Sequence, residues 1–195
     1  MIKLLHLPLI LSICLKNSSV IPCVMLKYLL FVTSIPLSIT GIFGQKTLEK
    51  RLKAYVFLSD ECPMCQGYAP VLNQLAADFK EKDVDIIGVF PNYYATDSSI
   101  LAFKTEYSIT FTTIKDSAFQ LTNRFNASIT PQVFLQNTEG SPLYAGQIDN
   151  AYFRAGKRRG TTSEYYLKAA IEAVLNNQKP PIEKTQSIGC VIVRD

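Results

Sequence analysis

From Ala54 to Leu58 the chain reads Ala-Tyr-Val-Phe-Leu, five apolar residues in a row. A continuous run this short, rich in aromatic and β-branched residues, predicts a strand buried on both faces. Ser59-Asp60-Glu61 end it with polar residues suited to a helix start, and Pro63 stands where a first helical turn tolerates proline. Over Gln66–Lys80, the apolar residues Tyr68, Val71, Leu72, Leu75, Ala76 and Phe79 recur at helical spacing. Val84–Phe90 reads as a second strand, closed by Pro91-Asn92. Asp97 caps a helix running to Tyr107, with Ile100, Leu101 and Phe103 apolar. Thr112–Ile114 is a short strand and Ala118–Phe125 a short helix. Thr130-Pro131 opens a strand over Gln132–Leu135, and Asn137-Thr138-Glu139-Gly140 makes a turn. Leu143–Ile148 returns as its hairpin partner. The last helix covers Thr162–Asn177 and is stopped by Lys179-Pro180-Pro181. Ahead of all this, Lys46–Lys53 is a charged lead-in, helical or irregular. No internal repeat is visible. Strands and helices alternating in this order predict an α/β domain with a mixed central sheet flanked by helices.

The first 44 residues do not fit that pattern. They are apolar, contain Lys3, Lys16 and Lys27, and have no acidic residue. Neither apolar run, Leu4–Leu15 or Tyr28–Phe43, makes a clean span of about 20 residues. Met25-Leu26-Lys27 followed by Tyr28–Ile39 reads as a signal peptide that starts at Met25, with cleavage near Gly44-Gln45. The alternative is an uncleaved N-terminal anchor, with membrane association through the leader. Either way the body is expected outside the cytoplasm, periplasmic or secreted, where disulfides persist. The expected organisation is a leader over 1–44, a domain over 45–178 and a Pro-containing tail over 179–195.

At 195 residues with 48% hydrophobic and 18% charged content, the chain holds one domain and some extra, and is neither disordered nor collagen-like. Removing the three leader lysines from 20 basic residues leaves 17, against 16 acidic ones. The body is therefore nearly neutral and carries no electrostatic footprint for nucleic acid. The single histidine, His6, lies in the leader. A body without histidine excludes Ser-His and Cys-His nucleophile pairs and His-containing zinc or copper sites.

Three cysteines remain in the body: Cys62, Cys65 and Cys190. Cys62-Pro63-Met64-Cys65 sits after a buried strand, at the start of a helix. Unpaired N–H groups and the helix dipole stabilise a thiolate there, so the thiol pKa falls. The spacing lets both sulfurs pair across one turn. Cys62 is expected to be the more exposed and to attack; Cys65 is expected to be more buried and to resolve the mixed disulfide. Structural zinc would need four ligands, which the body hardly offers. A purely structural disulfide is the bland alternative, but so tight a loop constrains little of the unfolded chain.

Strand, Cys-x-x-Cys at a helix start, and Thr130-Pro131 some 65 residues later before a strand together resemble the thioredoxin-like pattern. The resemblance covers roughly residues 50–178. It is closest to the exported redoxin or AhpC/TSA-like branch. It implies a cis Pro131 beside the disulfide. It also implies a substrate groove of Thr130, Pro131, Pro63 and Met64, with the backbone before the proline holding a substrate chain as an added strand. The implied activity is thiol–disulfide exchange with protein thiols and disulfides, recycled by an unidentified electron donor or acceptor. No organic cofactor and no metal is expected, because the Cys62–Cys65 pair carries the electrons.

Ser59-Asp60-Glu61-Cys62 also matches the Ser/Thr-x-x-Cys of peroxiredoxins, which makes thiol peroxidase the second reading. Two departures oppose it: Tyr55 stands where that family has proline, and its arginine near the Thr130-Pro131 strand is missing, Arg124 being the nearest. Thioredoxin's tryptophan before the first cysteine is Glu61 here. Its buried acid has no counterpart on the first strand, so Glu61 or Asp60 is the candidate proton relay.

Cys190, in Ile188-Gly189-Cys190-Val191, is either an unpaired thiol or a third redox thiol carried to the pair by a mobile tail. Three thiolates can also bind Cu(I), which keeps a copper-delivery module open, as is a non-catalytic interaction domain. Gly146-Gln147-Ile148-Asp149-Asn150 reads as turn chemistry. Lys157-Arg158-Arg159 reads as a solvated loop, and Tyr93-Tyr94 and Tyr165-Tyr166 as packing. Asn126-Ala127-Ser128 fits a glycosylation sequon.

Overall fold

The computed structural model describes residues 52–194. The leader, the start at Met25, the cleavage near Gly44-Gln45 and most of the Lys46–Lys53 lead-in lie outside the described residues. Among the described residues no helix is long and apolar enough to cross a membrane.

Strand β1, Leu52–Phe57, lies at the centre of a five-stranded mixed sheet. Helix α1, Pro63–Phe79, leads to β2, Val84–Phe90, which pairs parallel to β1. Helix α2, Asp97–Glu106, leads to β3, Thr112–Lys115, parallel to β2 on the outer edge. After helix α3, Gln120–Phe125, and the two-residue strand β4, Ile129–Thr130, strand β5, Gln132–Gln136, returns antiparallel to the other side of β1. Strand β6, Pro142–Gly146, completes the sheet as β5's hairpin partner. A small ribbon of β7, Tyr152–Arg154, and β8, Lys157–Arg158, precedes helix α4, Tyr166–Leu175. The last strand is β9, Cys190–Val191.

The continuous apolar run of β1 is buried on both faces, as its pattern predicts. Ala54, Val56 and Leu58 point into the larger core with Leu72 of α1, Phe103 of α2 and Ile171 of α4. Tyr55 and Phe57 point the other way, into a smaller core with Ile87, Val89, Ala127 and Ile192, ringed by Phe125 and Phe134. Burial is thus split by strict alternation within one unbroken hydrophobic run.

Several sequence expectations shift. The first helix begins at Pro63, three residues earlier than its apolar stripe, because Cys62 takes the N-cap position. Asp97 is not the cap of α2. Thr96 is, accepting from the Ser99 amide at 3.0 Å while the Thr96 amide donates to Ser99 Oγ, a reciprocal capping box. The last helix is shorter than Thr162–Asn177, starting at Tyr166. The expected loop Lys157-Arg158-Arg159 is instead partly strand β8, with Arg159 donating to the Asn150 carbonyl. Tyr93 and Tyr94 do not pack in the core: they are exposed, edge-to-face on each other, and Tyr165 is also exposed.

The largest correction concerns the tail. It is docked along its length instead of hanging free. The amide of Ala145 donates to the Glu183 carbonyl and that of Thr185 to the Ala145 carbonyl, each at 3.0 Å. Thr185 Oγ1 accepts from the Gln147 amide at 2.8 Å and lies 2.7 Å from the Tyr144 hydroxyl. Gly146 permits this approach: a Cβ there would sit 2.0 Å from Thr185 Oγ1, and its φ of +147° disfavours any other residue. Beyond β9, Ile192 is buried in the smaller core, and Arg194 donates to Asn123 Oδ1 at 2.9 Å.

Candidate functional site

The sheet register brings the site together. β5 runs antiparallel to β1 with Gln132 opposite Phe57, the last residue of β1. Residues 130 and 131 therefore lie just past the end of β1, where the chain enters the Ser59–Cys62 turn. The Thr130–Pro131 peptide bond is cis. Cys62 Sγ lies 3.5 Å from the Thr130 carbonyl oxygen, to which the thiol donates.

Cys62 caps α1 in an extended conformation and Cys65 follows in the first turn. The Cys62 amide donates to the Ser59 carbonyl at 3.3 Å, closing the turn ahead of the helix. The Ser59 amide donates to Cys65 Sγ at 3.3 Å, and the buried Ser59 hydroxyl accepts from Asn92 Nδ2. These contacts hold the turn ahead of α1 and set Cys65 Sγ against the Ser59 amide.

Exposure departs from expectation. Cys65 is fully buried, as anticipated, but Cys62 is only 2% exposed, not the accessible thiol of the pair. What covers it is the tail. Strand β9 pairs antiparallel with β4, Cys190 opposite Thr130 and Val191 opposite Ile129. Cys190 Sγ comes within 2.6 Å of Cys62 Sγ. All three cysteines are free thiols.

The three thiols differ in acidity. Hydrogen bonding from the Cys65 thiol, then from the Cys190 thiol and the Cys65 and Met64 amides, lowers Cys62 to about 5, against the opposing effect of burial. Burial, then the hydrogen bond and charge of Cys62, push Cys65 well up. The same causes in the same order push Cys190 up to about 12. This order of acidities ionises Cys62 first as pH rises above about 5, while Cys65 and Cys190 keep their protons; the donation to the Thr130 carbonyl belongs to the protonated form of Cys62. Titrating thiolate absorbance of the reduced chain should show one thiolate appearing with a midpoint near 5; a first midpoint at the ordinary value near 9 would contradict this geometry. The stability of the reduced protein follows in sign. The contribution of Cys62 is complete above the unfolded pKa and is lost as pH falls toward about 5, whereas those of Cys65 and Cys190 are complete below the unfolded pKa and lost as pH rises through their folded values.

The remaining predicted residues are placed as follows. Met64 is buried and, with Pro131, Tyr68, Gln147, Tyr152 and Ile188, lines a small cleft beside the cysteines. Pro63 opens α1 and is exposed. Glu61 is exposed, and Asp60 uses its backbone carbonyl to accept from Gln66 Nε2 at 3.0 Å. Arg124 donates to Gln136 Oε1 and lies over the Phe125 ring. Asn126 is exposed at the end of α3.

One buried acid was hidden in what reads as a turn. Asp149 is 2% exposed and accepts from the Tyr68 hydroxyl at 2.6 Å and the Ala151 amide at 2.8 Å. Tyr68 lies one helical turn beyond Cys65, so this pair ties the segment after β6 to the helix that carries the cysteines.

The fold is thioredoxin-like, and the site carries a Cys-x-x-Cys at a helix start beside a cis-proline, a combination that resembles the redoxin branch of that fold. Residues 45–141 match the model of the AhpC/TSA family. A hypothetical protein from Sinorhizobium meliloti 1021 is 26% identical with a TM-score of 0.66, over 74% of this chain and 80% of that one. An uncharacterized conserved protein from Geobacillus kaustophilus is 22% identical with a TM-score of 0.66, over 74% and 77%. A putative thiol:disulfide interchange protein DsbE from Chlorobium tepidum shares the fold at 20% identity and a TM-score of 0.51, over 65% and 82%. No curated protein matches the sequence.

Proposed function

We propose that the protein is a thiol–disulfide oxidoreductase that exchanges the Cys62–Cys65 dithiol or disulfide with protein thiols outside the cytoplasm. The observation that carries this reading is the Cys62 sulfur: it caps α1, is lowered to about 5, and lies beside the Thr130 carbonyl, with a second thiol one turn away. A thiolate is the nucleophile of disulfide exchange, and a low-pKa thiol is also the better leaving group. In the reductive direction Cys62 S⁻ attacks a partner disulfide, a mixed disulfide forms, and one partner thiolate leaves. Cys65, on losing its proton, then attacks Cys62 Sγ, the Cys62–Cys65 bond forms, and the second partner thiol departs. Two electrons move to the partner, and the reverse sequence oxidises a partner dithiol.

The acid-free apolar leader supports the extracytoplasmic part of the reading, since a cysteine pair that must be recycled as a disulfide suits an oxidising compartment. Peroxidase chemistry stands second. Arg124 is engaged with Gln136 and Phe125, in the neighbourhood of the smaller core, rather than at Cys62.

The test is to mix the oxidised chain with a reduced, unfolded small protein whose native state holds disulfides, and to count free thiols on both after acid quenching. Disulfides should appear in the partner as thiols appear at Cys62 and Cys65. Transfer no faster than with Cys62→Ser would contradict the proposal.

A further inference from the structure

The groove beside Cys62 is occupied by the protein's own chain, and the manner of occupation is informative. A substrate strand in this position would pair with the backbone of Thr130 and bring a sulfur to Cys62. Strand β9 does both: Cys190 pairs with Thr130, the Thr130 hydroxyl donates to the Cys190 carbonyl at 3.5 Å, and the two sulfurs are 2.6 Å apart. Adjacent residues hold the strand in this register. The Ile192 amide donates to the Ser128 carbonyl and the Tyr93 amide to the Val193 carbonyl, while Ile192 is buried in the smaller core. On the other side, Gln147 Nε2 donates to the Gln186 carbonyl at 2.6 Å. Gly189 makes the close crossing sterically allowed. A Cβ there would lie 2.1 Å from the Thr130 oxygen and 2.7 Å from its carbonyl carbon, both rigid backbone atoms.

We propose that Cys190 is a third redox residue, a built-in substrate thiol through which the Cys62–Cys65 disulfide is passed to an external protein dithiol. The proposal rests on the reading of Cys62–Cys65 as an exchanging pair and adds the route by which its disulfide leaves a buried site.

The steps balance. In the oxidised protein, deprotonated Cys190 attacks Cys62 Sγ. The Cys62–Cys190 bond forms, the Cys62–Cys65 bond breaks, and Cys65 leaves with the electron pair and takes up a proton. The Ser59 amide, which points at Cys65 Sγ, receives that charge as it develops. One disulfide has replaced another, with no net oxidation. A partner thiolate then attacks Cys190 Sγ, which is half-buried where Cys62 is covered. Cys62 departs as the thiolate; attack is directed to Cys190 because the more acidic thiol is the better leaving group. The partner's second thiolate displaces Cys190, which is reprotonated. The partner has lost two electrons and two protons; the Cys62–Cys65 pair has gained both electrons and one proton, on Cys65, and the other proton goes to solvent because Cys62 stays ionised.

The experiment uses the full chain and its Cys65→Ser, Cys190→Ser and Gly189→Ala variants, with acid quenching, alkylation and peptide mapping. In a glutathione buffer of intermediate poise, Cys65→Ser is expected to form an intramolecular Cys62–Cys190 disulfide stoichiometrically. Cys190→Ser, nearly isosteric, should still form Cys62–Cys65 yet transfer it to a reduced unfolded protein at least roughly tenfold more slowly than the parent. Gly189→Ala, which keeps all three cysteines but obstructs the crossing that brings Cys190 to Cys62, should lose the Cys62–Cys190 species and alkylate faster at Cys62. Transfer by Cys190→Ser at or above the parental rate would overturn the proposal and leave the tail a plug. So would a glutathione adduct at Cys62 in Cys65→Ser in place of the intramolecular bond. A parental chain in which Cys62–Cys65 itself never cycles would overturn the underlying oxidoreductase reading along with it.

Discussion

Replacing Cys62 with serine is expected to abolish disulfide exchange, lowering the rate by at least about 10³-fold. A serine hydroxyl neither ionises near neutral pH nor forms a disulfide, so no residual route through this sulfur remains. The variant should keep its fold, because one oxygen replaces one sulfur at a helix cap where serine is a preferred residue. Its melting temperature should therefore stay within a few degrees of the parent. The other two cysteines supply an internal check. Without the Cys62 thiolate, the two influences that raise Cys190 through Cys62, a hydrogen bond and a charge, both vanish, and only burial remains. The Cys190 thiol should then titrate nearer its ordinary value. Measured transfer within tenfold of the parent would mean that another sulfur carries the chemistry.

The largest stability effect is expected at Phe57. Its side chain is fully buried at the end of β1, with ring centroids 5.6 Å from Phe134 and 6.0 Å from Phe125, both edge-on. Truncation to alanine removes the transfer energy of the ring and leaves a cavity that a sheet face cannot collapse to fill, a cost of about 3–5 kcal/mol. For a chain of this size that corresponds to a drop of roughly 10 °C in melting temperature, read by calorimetry or circular dichroism. The same cluster buries Ile192, so loosening it should also release the end of the tail and raise alkylation of Cys62. A shift under about 1 kcal/mol would show that the smaller core contributes little to holding the sheet.

Much of this was legible in the sequence. The Ala54–Leu58 run gave the central strand and its two-sided burial, and Val84–Phe90 is a strand at the same residues. Cys62-Pro63-Met64-Cys65 marked the start of α1, because proline and an extended cap are local features that need no tertiary information. The link from that motif to Thr130-Pro131 was legible only through the resemblance to the thioredoxin-like pattern; in the structure it arises because β5 returns antiparallel to the end of β1. The β4–β9 pairing was not readable. Both strands are two residues long, too short for any period, and they pair residues far apart in sequence, Thr130 with Cys190 and Ile129 with Val191. A signal existed nonetheless: Cys190-Val191-Ile192-Val193 is strand-like within an otherwise polar tail, and a glycine precedes it. The two-proline break before it pointed to mobility instead. Asp149 was hidden because an acid inside Gly-Gln-Ile-Asp-Asn looks the same whether solvated in a turn or buried against Tyr68. Thr96 displaced Asp97 as a cap because both residue types serve, and only the reciprocal bond to Ser99 separates them.

Cys62 and Cys65 are expected to form a reversible disulfide that exchanges with protein thiols. A redox titration of the full chain against glutathione, with acid-quenched alkylation and mapping of all three body cysteines, tests it most directly. The expected result is a single two-electron transition with a potential between roughly −270 and −120 mV, with Cys62 in every intramolecular disulfide and Cys65 and Cys190 as its only partners within the chain. A Cys62–Cys65 bond that resists reduction by dithiothreitol, or a Cys62 that never enters a disulfide across that range, would contradict it.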